Sequence, residues 1–192
     1  MKADAILTAK EMRMVGSRRS IGEIVGWFKW AILKKSAAEA MNGMVGNEDP
    51  MSFEALFDLI CAKAEDGDAM ENLNPEERVF YVVSMFNMEI QNGGLSQFFF
   101  NSPRALAPEV ALSLRAIGAD AYAGLYEGFC EETGVNVNEM DSFDIEKVCG
   151  LQAEGECDPF EDFDEAFYAR YEKEPLEELM ERYVCAHREK FH

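Results

Sequence analysis

The sequence lacks the residue patterns on which most enzymes depend. Among its 192 residues there are only two histidines, His187 and His192, both at the C-terminal end. It contains no glycine-rich phosphate loop and no Gly-x-Ser-x-Gly elbow. A di-metal site in a helical bundle needs Glu-x-x-His motifs on two facing helices, and the sequence has this spacing once, from Glu189 to His192. We therefore predict a non-enzymatic protein with no catalytic residues, no metal and no cofactor.

Long apolar runs and paired cysteines are also missing. The apolar stretch at 24–33 is interrupted by Gly26 and Lys29 and is too short to span a bilayer, and no signal peptide precedes it. The five cysteines are scattered and form no Cys-x-x-Cys pair, which is typical of reduced thiols in a cytosol. We expect a cytoplasmic protein that does not bind membranes.

Basic residues are scarce: the sequence has 18 of them against 37 acidic residues, which gives a net charge of −19. This charge argues against direct nucleic-acid binding, because phosphates would be repelled, and it favours either a basic partner or simple solubility. Residues 1–47 carry eight bases and four acids, whereas residues 131–181 carry 18 acids and three bases. We expect a basic helical extension at 1–47, packed on the protein, and an acidic domain at 48–192.

Strand-like alternation is absent, and apolar residues recur every three or four positions instead. This pattern predicts one all-α domain of about eight helices. The clearest helix start has Asn74 as the cap, Pro75 at the first position and Glu77 completing a capping box. Further helices are predicted at Phe53 to about Glu65, Leu95 to Asn101, from Pro108, at Asp120 to Thr133, after Asp158-Pro159 and from Pro175.

The block from Asn92 to Asn101 combines two glycines, amides and three consecutive phenylalanines. Its structural interpretation is a tight helix–helix corner in which the asparagines satisfy loose backbone groups and the rings fill the core. A small-ligand pocket is the alternative. The residues of this structural motif are Asn92, Gly93, Gly94, Gln97, Phe98, Phe99 and Asn101.

Glu89 lies near the end of a largely apolar helix, just before the glycines. We expect it to cap neighbouring backbone donors. The alternative is a buried carboxylate with a raised pKa, which would belong to a ligand pocket with Asn92 and Gln97.

The last two predicted helices place acids opposite their apolar stripes. One stripe contains Phe160, Phe163, Phe167 and Tyr171, and the other contains Leu176, Leu179 and Tyr183. A solvated acidic face is the common outcome of such a pattern, and a partner-binding surface is the functional one. The predicted partner-binding residues are Asp158, Glu161, Asp162, Glu165, Glu172, Glu174, Glu177, Glu178 and Glu181.

Four blocks carry a resemblance to a known family. They are Glu77 through Glu89, the run Asn92-Gly93-Gly94-Leu95-Ser96-Gln97-Phe98-Phe99-Phe100-Asn101, the helix that ends at Ile117-Gly118-Ala119, and Phe163-Asp164-Glu165-Ala166-Phe167. They resemble a bacterial domain-of-unknown-function family whose best-known member is a DNA-mimic protein.

The resemblance implies an all-helical, often dimeric fold without enzymatic activity. It also implies a basic DNA-binding partner, such as a transcription regulator or a nucleoid-type protein, that is captured by acidic side chains imitating phosphates. Two other functions stay open: an immunity-type or other interaction module with a basic partner, and a small-ligand binder at the Asn-Gly-Gly corner.

Overall fold

The computed structural model describes residues 53–145, 148 and 158–192. These residues form helices and turns, and none of them belongs to a β-strand, so the all-α prediction is confirmed. The predictions for segment 1–47 lie outside the described residues. The α-helices of the described part are α1 (Phe53–Lys63), α2 (Pro75–Phe100), α3 (Ala107–Ala116), α4 (Asp120–Thr133), α5 (Pro159–Tyr171) and α6 (Leu176–Ala186). Short 3-10 helices lie at Glu65–Gly67, Met70–Asn72, Ser102–Leu106, Val137–Ser142 and Arg188–Lys190.

Residues 53–73 belong to one compact unit, and the described residues from Asn74 onward belong to another. In the first unit, α1 buries Leu56, Phe57 and Ile60 along the predicted stripe. The second unit contains both the Asn-Gly-Gly corner and the acidic helices.

The start of α2 has the predicted capping box. The Asn74 side-chain oxygen accepts hydrogen bonds from the backbone N–H groups of Glu76 and Glu77, each at 3.0 Å. The Glu77 carboxylate accepts in return from the Asn74 backbone N–H at 3.0 Å. Because these bonds satisfy donors that a helix start leaves open, they fix the first turn of the longest described helix.

Helix α2 is the centre of the second unit. Every residue from Phe80 to Ile90 is buried, because α3, α5 and α6 all pack against this helix. A helix buried on all sides has to satisfy its polar side chains internally. Ser84 donates to the Met180 sulfur at 3.6 Å, Asn87 donates to Glu177 at 2.9 Å, and Glu89 accepts from two side-chain amides.

Aromatic rings fill the space among α2, α4 and α5. Phe86 meets Phe98 edge-on with ring centroids 5.2 Å apart, and Phe99 stacks on Phe129 at 5.9 Å. Phe129 also lies 4.9 Å from Phe160 of α5. The predicted role of Phe98 and Phe99 as core residues is therefore confirmed, since both are fully buried.

Candidate functional site

The outer face of α5 is acidic, as the sequence predicted. The Asp158 side chain accepts a hydrogen bond from the Phe160 N–H at 3.0 Å and caps the helix, with Pro159 in its first turn. Phe160, Phe163 and Phe167 are buried on the inner face, which fixes the rotation of the helix. The exposed predicted acids of this helix and its end are Glu161, Asp162, Glu165 and Glu172.

Helix α6 presents a smaller acidic surface. Leu176, Leu179 and Met180 are buried against the rest of the unit. Glu178 and Glu181 are exposed. Partial burial, followed by repulsion from Glu178 and Glu177, raises the pKa of Glu181 above its usual value. These carboxylates therefore lie close enough to repel one another.

Glu177 corrects the sequence prediction, because it does not face outward. It is half-buried, and its carboxylate accepts a hydrogen bond from the Asn87 amide of α2 at 2.9 Å. The Tyr171 hydroxyl, at the end of α5, lies 2.5 Å from both carboxylate oxygens. The helical spacing it shares with Glu174, Glu178 and Glu181 placed Glu177 on the outer face, but hydrogen bonds from the buried Asn87 and the half-buried Tyr171 hold it inward.

Glu174 also makes contacts within the protein that the sequence did not predict. It is half-buried, its carboxylate lies 3.7 Å from the Arg182 guanidinium, and its backbone carbonyl accepts from the Tyr122 hydroxyl at 2.6 Å. The sequence pattern assigns Arg182 to Glu178. The arginine pairs with Glu174 instead and makes no ion pair with the exposed Glu178.

The exposed acids of α5 are closely spaced along the helix. Glu161, Asp162 and Glu165 fall within about 6 Å of helix axis, given a rise of about 1.5 Å per residue. One strand of duplex DNA shows a phosphate about every 3.4 Å of axis. Three charges in this length match that axial density. We define these three residues, together with Glu178 and Glu181, as the acidic surface.

The Asn-Gly-Gly corner is a kink inside α2. Gly93 has φ −172° and ψ 23°, and Gly94 has φ 78° and ψ −177°, so the helical path is broken at both residues. The sequence predicted a separate helix from Leu95, and the structure breaks the helical path at Gly93 and Gly94, directly before Leu95. Gly93 is extended in φ, so only Gly94 needs the conformational freedom of glycine.

Helix α5 satisfies the backbone groups that the kink exposes. The Asp164 carboxylate accepts from the Leu95 N–H at 2.8 Å, and the Tyr168 hydroxyl donates to the Ile90 carbonyl at 2.7 Å. A Cβ at Gly94 would lie 2.0 Å from an Asp164 carboxylate oxygen. Glycine is therefore required at this position both for its positive φ and for the approach of Asp164.

Glu89 is a buried carboxylate, which was the alternative interpretation of its position in the sequence. It is fully buried, and one of its oxygens accepts from the Gln97 and Asn101 side-chain amides, each at 2.8 Å. The expectation that it caps backbone donors is wrong, because both donors are side chains. Burial raises its pKa, and the two amides partly offset that effect. The second oxygen has no hydrogen-bond partner among the described residues.

The amides of Gln97 and Asn101 are therefore used inside the protein. Asn101 was expected to satisfy loose backbone groups with its side chain, but that side chain bonds Glu89 instead. Glu89 precedes the kink and both amides follow it, so these bonds hold the two parts of α2 together. Asn92, the third polar residue of the proposed pocket, is half-buried.

Sequence reasoning assigned no role to Asp164 or Tyr168. One feature of the sequence could have indicated their contact. The block with Gly94 and Leu95 and the block with Asp164 both carry the family resemblance. The structure brings these blocks together through the Leu95–Asp164 hydrogen bond. Residues 69 positions apart in sequence give no periodic pattern, so helix wheels do not reveal the contact.

The described part of the chain holds neither a metal cluster nor a membrane span. Within residues 53–145, 148 and 158–192, no three His, Cys, Asp or Glu side chains are grouped so as to hold a metal ion. Cys130 and Cys185 carry free thiols, whereas Cys149 and Cys157 lie outside the described part. None of the helices in these ranges is both long enough and apolar enough to cross a membrane.

Comparison with known protein families identifies the family of this chain. Residues 71–187, more than half of the chain, match the family described as DMP19-like protein. Searches of curated proteins and of solved structures found no match. The matched range contains the capping box of α2, the kink with its partners on α5, and the acidic surface. The chain belongs to the DMP19-like protein family.

Proposed function

We propose that this protein is a non-enzymatic binding module that acts as a DNA mimic. It would compete with DNA for a basic DNA-binding protein, such as a transcription regulator or a nucleoid-type protein. The observation that carries the proposal is the acidic surface, whose exposed carboxylates are closely spaced along α5 and which includes two further exposed carboxylates on α6. Membership of the DMP19-like family supports the same role, because the resemblance carried by the sequence is to a DNA mimic.

The physical basis is charge density on a rigid support. Each exposed carboxylate would take the place of a phosphate opposite a lysine or arginine of the partner. Phe160, Phe163 and Phe167 bury the inner face of α5, so the carboxylates project from a helix that is fixed in the core. Because the helix backbone is already fixed, binding would cost the entropy of ordering side chains and not that of folding a segment.

The predicted binding residues do not all serve this role. Glu177 is bonded to Asn87 and Tyr171, and Glu174 is paired with Arg182, so these two carboxylates act mainly in the fold. Asp158 is the cap of α5. The residues that we assign to partner binding are Glu161, Asp162, Glu165, Glu178 and Glu181, with Glu172 at the edge.

The test begins with capture of the partner. The full chain is immobilised, incubated with native lysate at low salt and washed at rising salt. A mimic should retain a basic DNA-binding protein and release it steeply with salt, because the Debye length falls from about 10 Å at 0.1 M to about 3 Å at 1 M. Duplex DNA should displace the same protein.

Two matched variants distinguish the effect of the position of the acids on binding from the effect of net charge. One variant carries Glu161→Gln, Asp162→Asn and Glu165→Gln, and its control carries Glu131→Gln, Glu132→Gln and Glu139→Gln. All six acids are exposed and each variant removes three charges. The first should weaken binding of the purified partner at least about tenfold, which is about 1.4 kcal/mol, and the control should change it less than about twofold.

The competing functions predict different outcomes. If the partner holds duplex DNA and this protein at the same time, mimicry is wrong and a general interaction module, such as an immunity-type protein, is favoured. A small-ligand function gains no support from Gln97 and Asn101, because their amides already bond Glu89. The dimeric state implied by the family resemblance belongs to this proposal and is measured by sedimentation of the full chain.

A further inference from the structure

The exposed face of α5 carries a tyrosine among its acids. Tyr168 is 38% exposed, and it lies three residues after Glu165 and four residues before Glu172, both of which are also exposed. Residues three and four apart are neighbours on the surface of a helix. The helical hydrogen bonding continues to Glu172, whose N–H donates to the Tyr168 carbonyl at 3.0 Å. The Tyr168 ring is therefore flanked by two acids, with Glu161 about two turns before it on the same face.

The Tyr168 ring is held in place by its own hydroxyl. This hydroxyl donates to the carbonyl of the buried Ile90 at 2.7 Å, so the polar end of the side chain points into the protein. Burial, followed by the charge of Asp164, raises the pKa of Tyr168 to about 12, so the phenol is neutral at physiological pH. The ring also meets Phe167 edge-on, with centroids 5.8 Å apart. The side chain thus presents a fixed aromatic surface to solvent, and not a free hydroxyl.

The acids on either side of Tyr168 are not neutralised by the protein itself. Arg170, the basic residue of α5, has its guanidinium carbon 5.9 Å from the centroid of the buried Tyr122 ring, on another side of the helix. Within the described part of the chain, neither Glu165 nor Glu172 makes an ion pair. Both charges are therefore available to a partner.

We propose that Tyr168, flanked by Glu165 and Glu172, is a specificity residue that selects an arginine of the partner over a lysine, an inference that rests on the proposed function. The two carboxylates attract the positive charge, and the ring stacks against the guanidinium plane between them. A guanidinium stacks on aromatic faces and bonds carboxylates with a planar fork, whereas a lysine ammonium is a strongly hydrated point charge. Tyrosine and arginine are also enriched among the residues that dominate binding at interfaces. The partner of this surface is thus recognised by arginine side chains and not by positive charge alone.

The test compares two capped peptides of equal charge, tetra-arginine and tetra-lysine. The full chain is isotopically labelled and titrated with each peptide at low salt in an NMR experiment. The dissociation constant is taken from the shifts of the Glu165, Tyr168 and Glu172 amides, so binding to acids elsewhere on the chain does not enter. At this site, arginine should bind at least about threefold more tightly than lysine, because an exposed cation–π contact changes affinity by about two- to fivefold.

Two variants isolate the contribution of the ring. Tyr168→Phe and Tyr168→Leu both lose the hydrogen bond to the Ile90 carbonyl, and they differ in whether an aromatic ring is present. Tyr168→Phe should keep the preference for arginine. Tyr168→Leu should bind tetra-arginine about threefold more weakly than Tyr168→Phe does, while the affinities of the two variants for tetra-lysine should differ by less than about twofold.

A charge variant with Glu165→Gln and Glu172→Gln should weaken binding of both peptides, because it removes the attraction that they share. The proposal is overturned if the parent binds the two peptides equally at this site, or if Tyr168→Leu keeps the preference of Tyr168→Phe. DNA mimicry is unaffected by either result, since carboxylates can capture a basic partner without a ring. If the charge variant instead binds both peptides as tightly as the parent, the acids of this face attract no cation, and the proposed function fails together with the role of Tyr168.

Discussion

The Tyr171 hydroxyl lies 2.5 Å from both carboxylate oxygens of Glu177, and the Asn87 amide donates to the same carboxylate from the buried helix α2. Glu177 thus links the end of α5, the start of α6 and the centre of the unit. Its charge serves the fold, although its position in the sequence is typical of a surface acid.

The bonds of Glu177 predict that alanine substitution of two neighbouring acids of α6 has very different effects on stability. Glu177→Ala should lower the free energy of unfolding by about 1–3 kcal/mol, because it leaves the Asn87 amide and the Tyr171 hydroxyl without their acceptor. Glu178→Ala, on the exposed side, should change it by less than about 0.5 kcal/mol. Urea unfolding of both variants measures the difference, and equal midpoints would show that the inward bonds of Glu177 contribute nothing.

The kink predicts that two glycines with similar backbone angles respond differently to alanine. Gly94 and Gly118 have φ values of 78° and 82°, but a Cβ at Gly94 meets Asp164 at 2.0 Å and one at Gly118 meets nothing within 4 Å. Gly118→Ala should cost about 1–2 kcal/mol, the backbone penalty alone. Gly94→Ala should cost clearly more, about 3 kcal/mol or above, since a displaced Asp164 also releases the Leu95 N–H.

Thermal and urea unfolding of Gly94→Ala and Gly118→Ala test this prediction. Equal losses of stability in the two variants would contradict the role of Asp164. The sequence pattern alone points to Gly93→Val as the damaging change. With φ at −172°, Gly93 adopts an extended backbone that other residues also use, so the stronger constraint lies one position further on.

Stability should rise as the pH falls from neutral. The pKa of Asp164 is raised from 3.8 to about 6 in the folded protein, so the folded state binds the proton more tightly than the unfolded state. The resulting stabilisation is fully present below the unfolded pKa and is lost as the pH rises through about 6. Between about pH 7 and pH 5 it amounts to about 1 kcal/mol, and the raised pKa of Glu89 acts in the same direction.

Urea unfolding at a series of pH values measures this slope. Asp164→Asn should flatten it, because the titrating group is gone, while Glu165→Gln serves as the exposed control. A parent protein that loses stability steadily from about pH 7 to pH 5 would contradict the expected sign of the pH dependence.

The aromatic stripe of α5 predicts a contrast between two phenylalanines. Phe163 is 5% exposed and Phe100 is 54% exposed. Phe163→Ala should therefore cost about 3–5 kcal/mol, whereas Phe100→Ala should cost less than about 1 kcal/mol. Calorimetry on both variants decides the point. Similar losses would mean that α5 does not pack through its aromatic face.

Local signals in the sequence predicted much of the fold. Helix α4 begins and ends where Asp120, Thr133 and Gly134 indicated, and Gly134 closes it with φ 69°. The Asn74 capping box is also present as predicted. These features depend on residues within one helical turn of each other, so their physical cause is contained in the pattern itself.

The site was less predictable, because its contacts join distant residues. Glu89 reaches Gln97 and Asn101 across a kink, and a regular helical wheel places them incorrectly once the turn is broken. Glu177 was placed outward because it shares the helical spacing of Glu174, Glu178 and Glu181, and that spacing does not show the donors on neighbouring helices. The partner of a buried charge is not visible in the periodicity of the helix that carries it.

The approach of Asp164 to Gly94 also has a consequence for other members of the family. Positions 94 and 164 share one small space, so they are not free to vary independently. A relative with any side chain at position 94 needs a smaller residue at position 164 and another acceptor for the amide of Leu95. A substitution at either position is therefore expected to be accompanied by one at the other across the family.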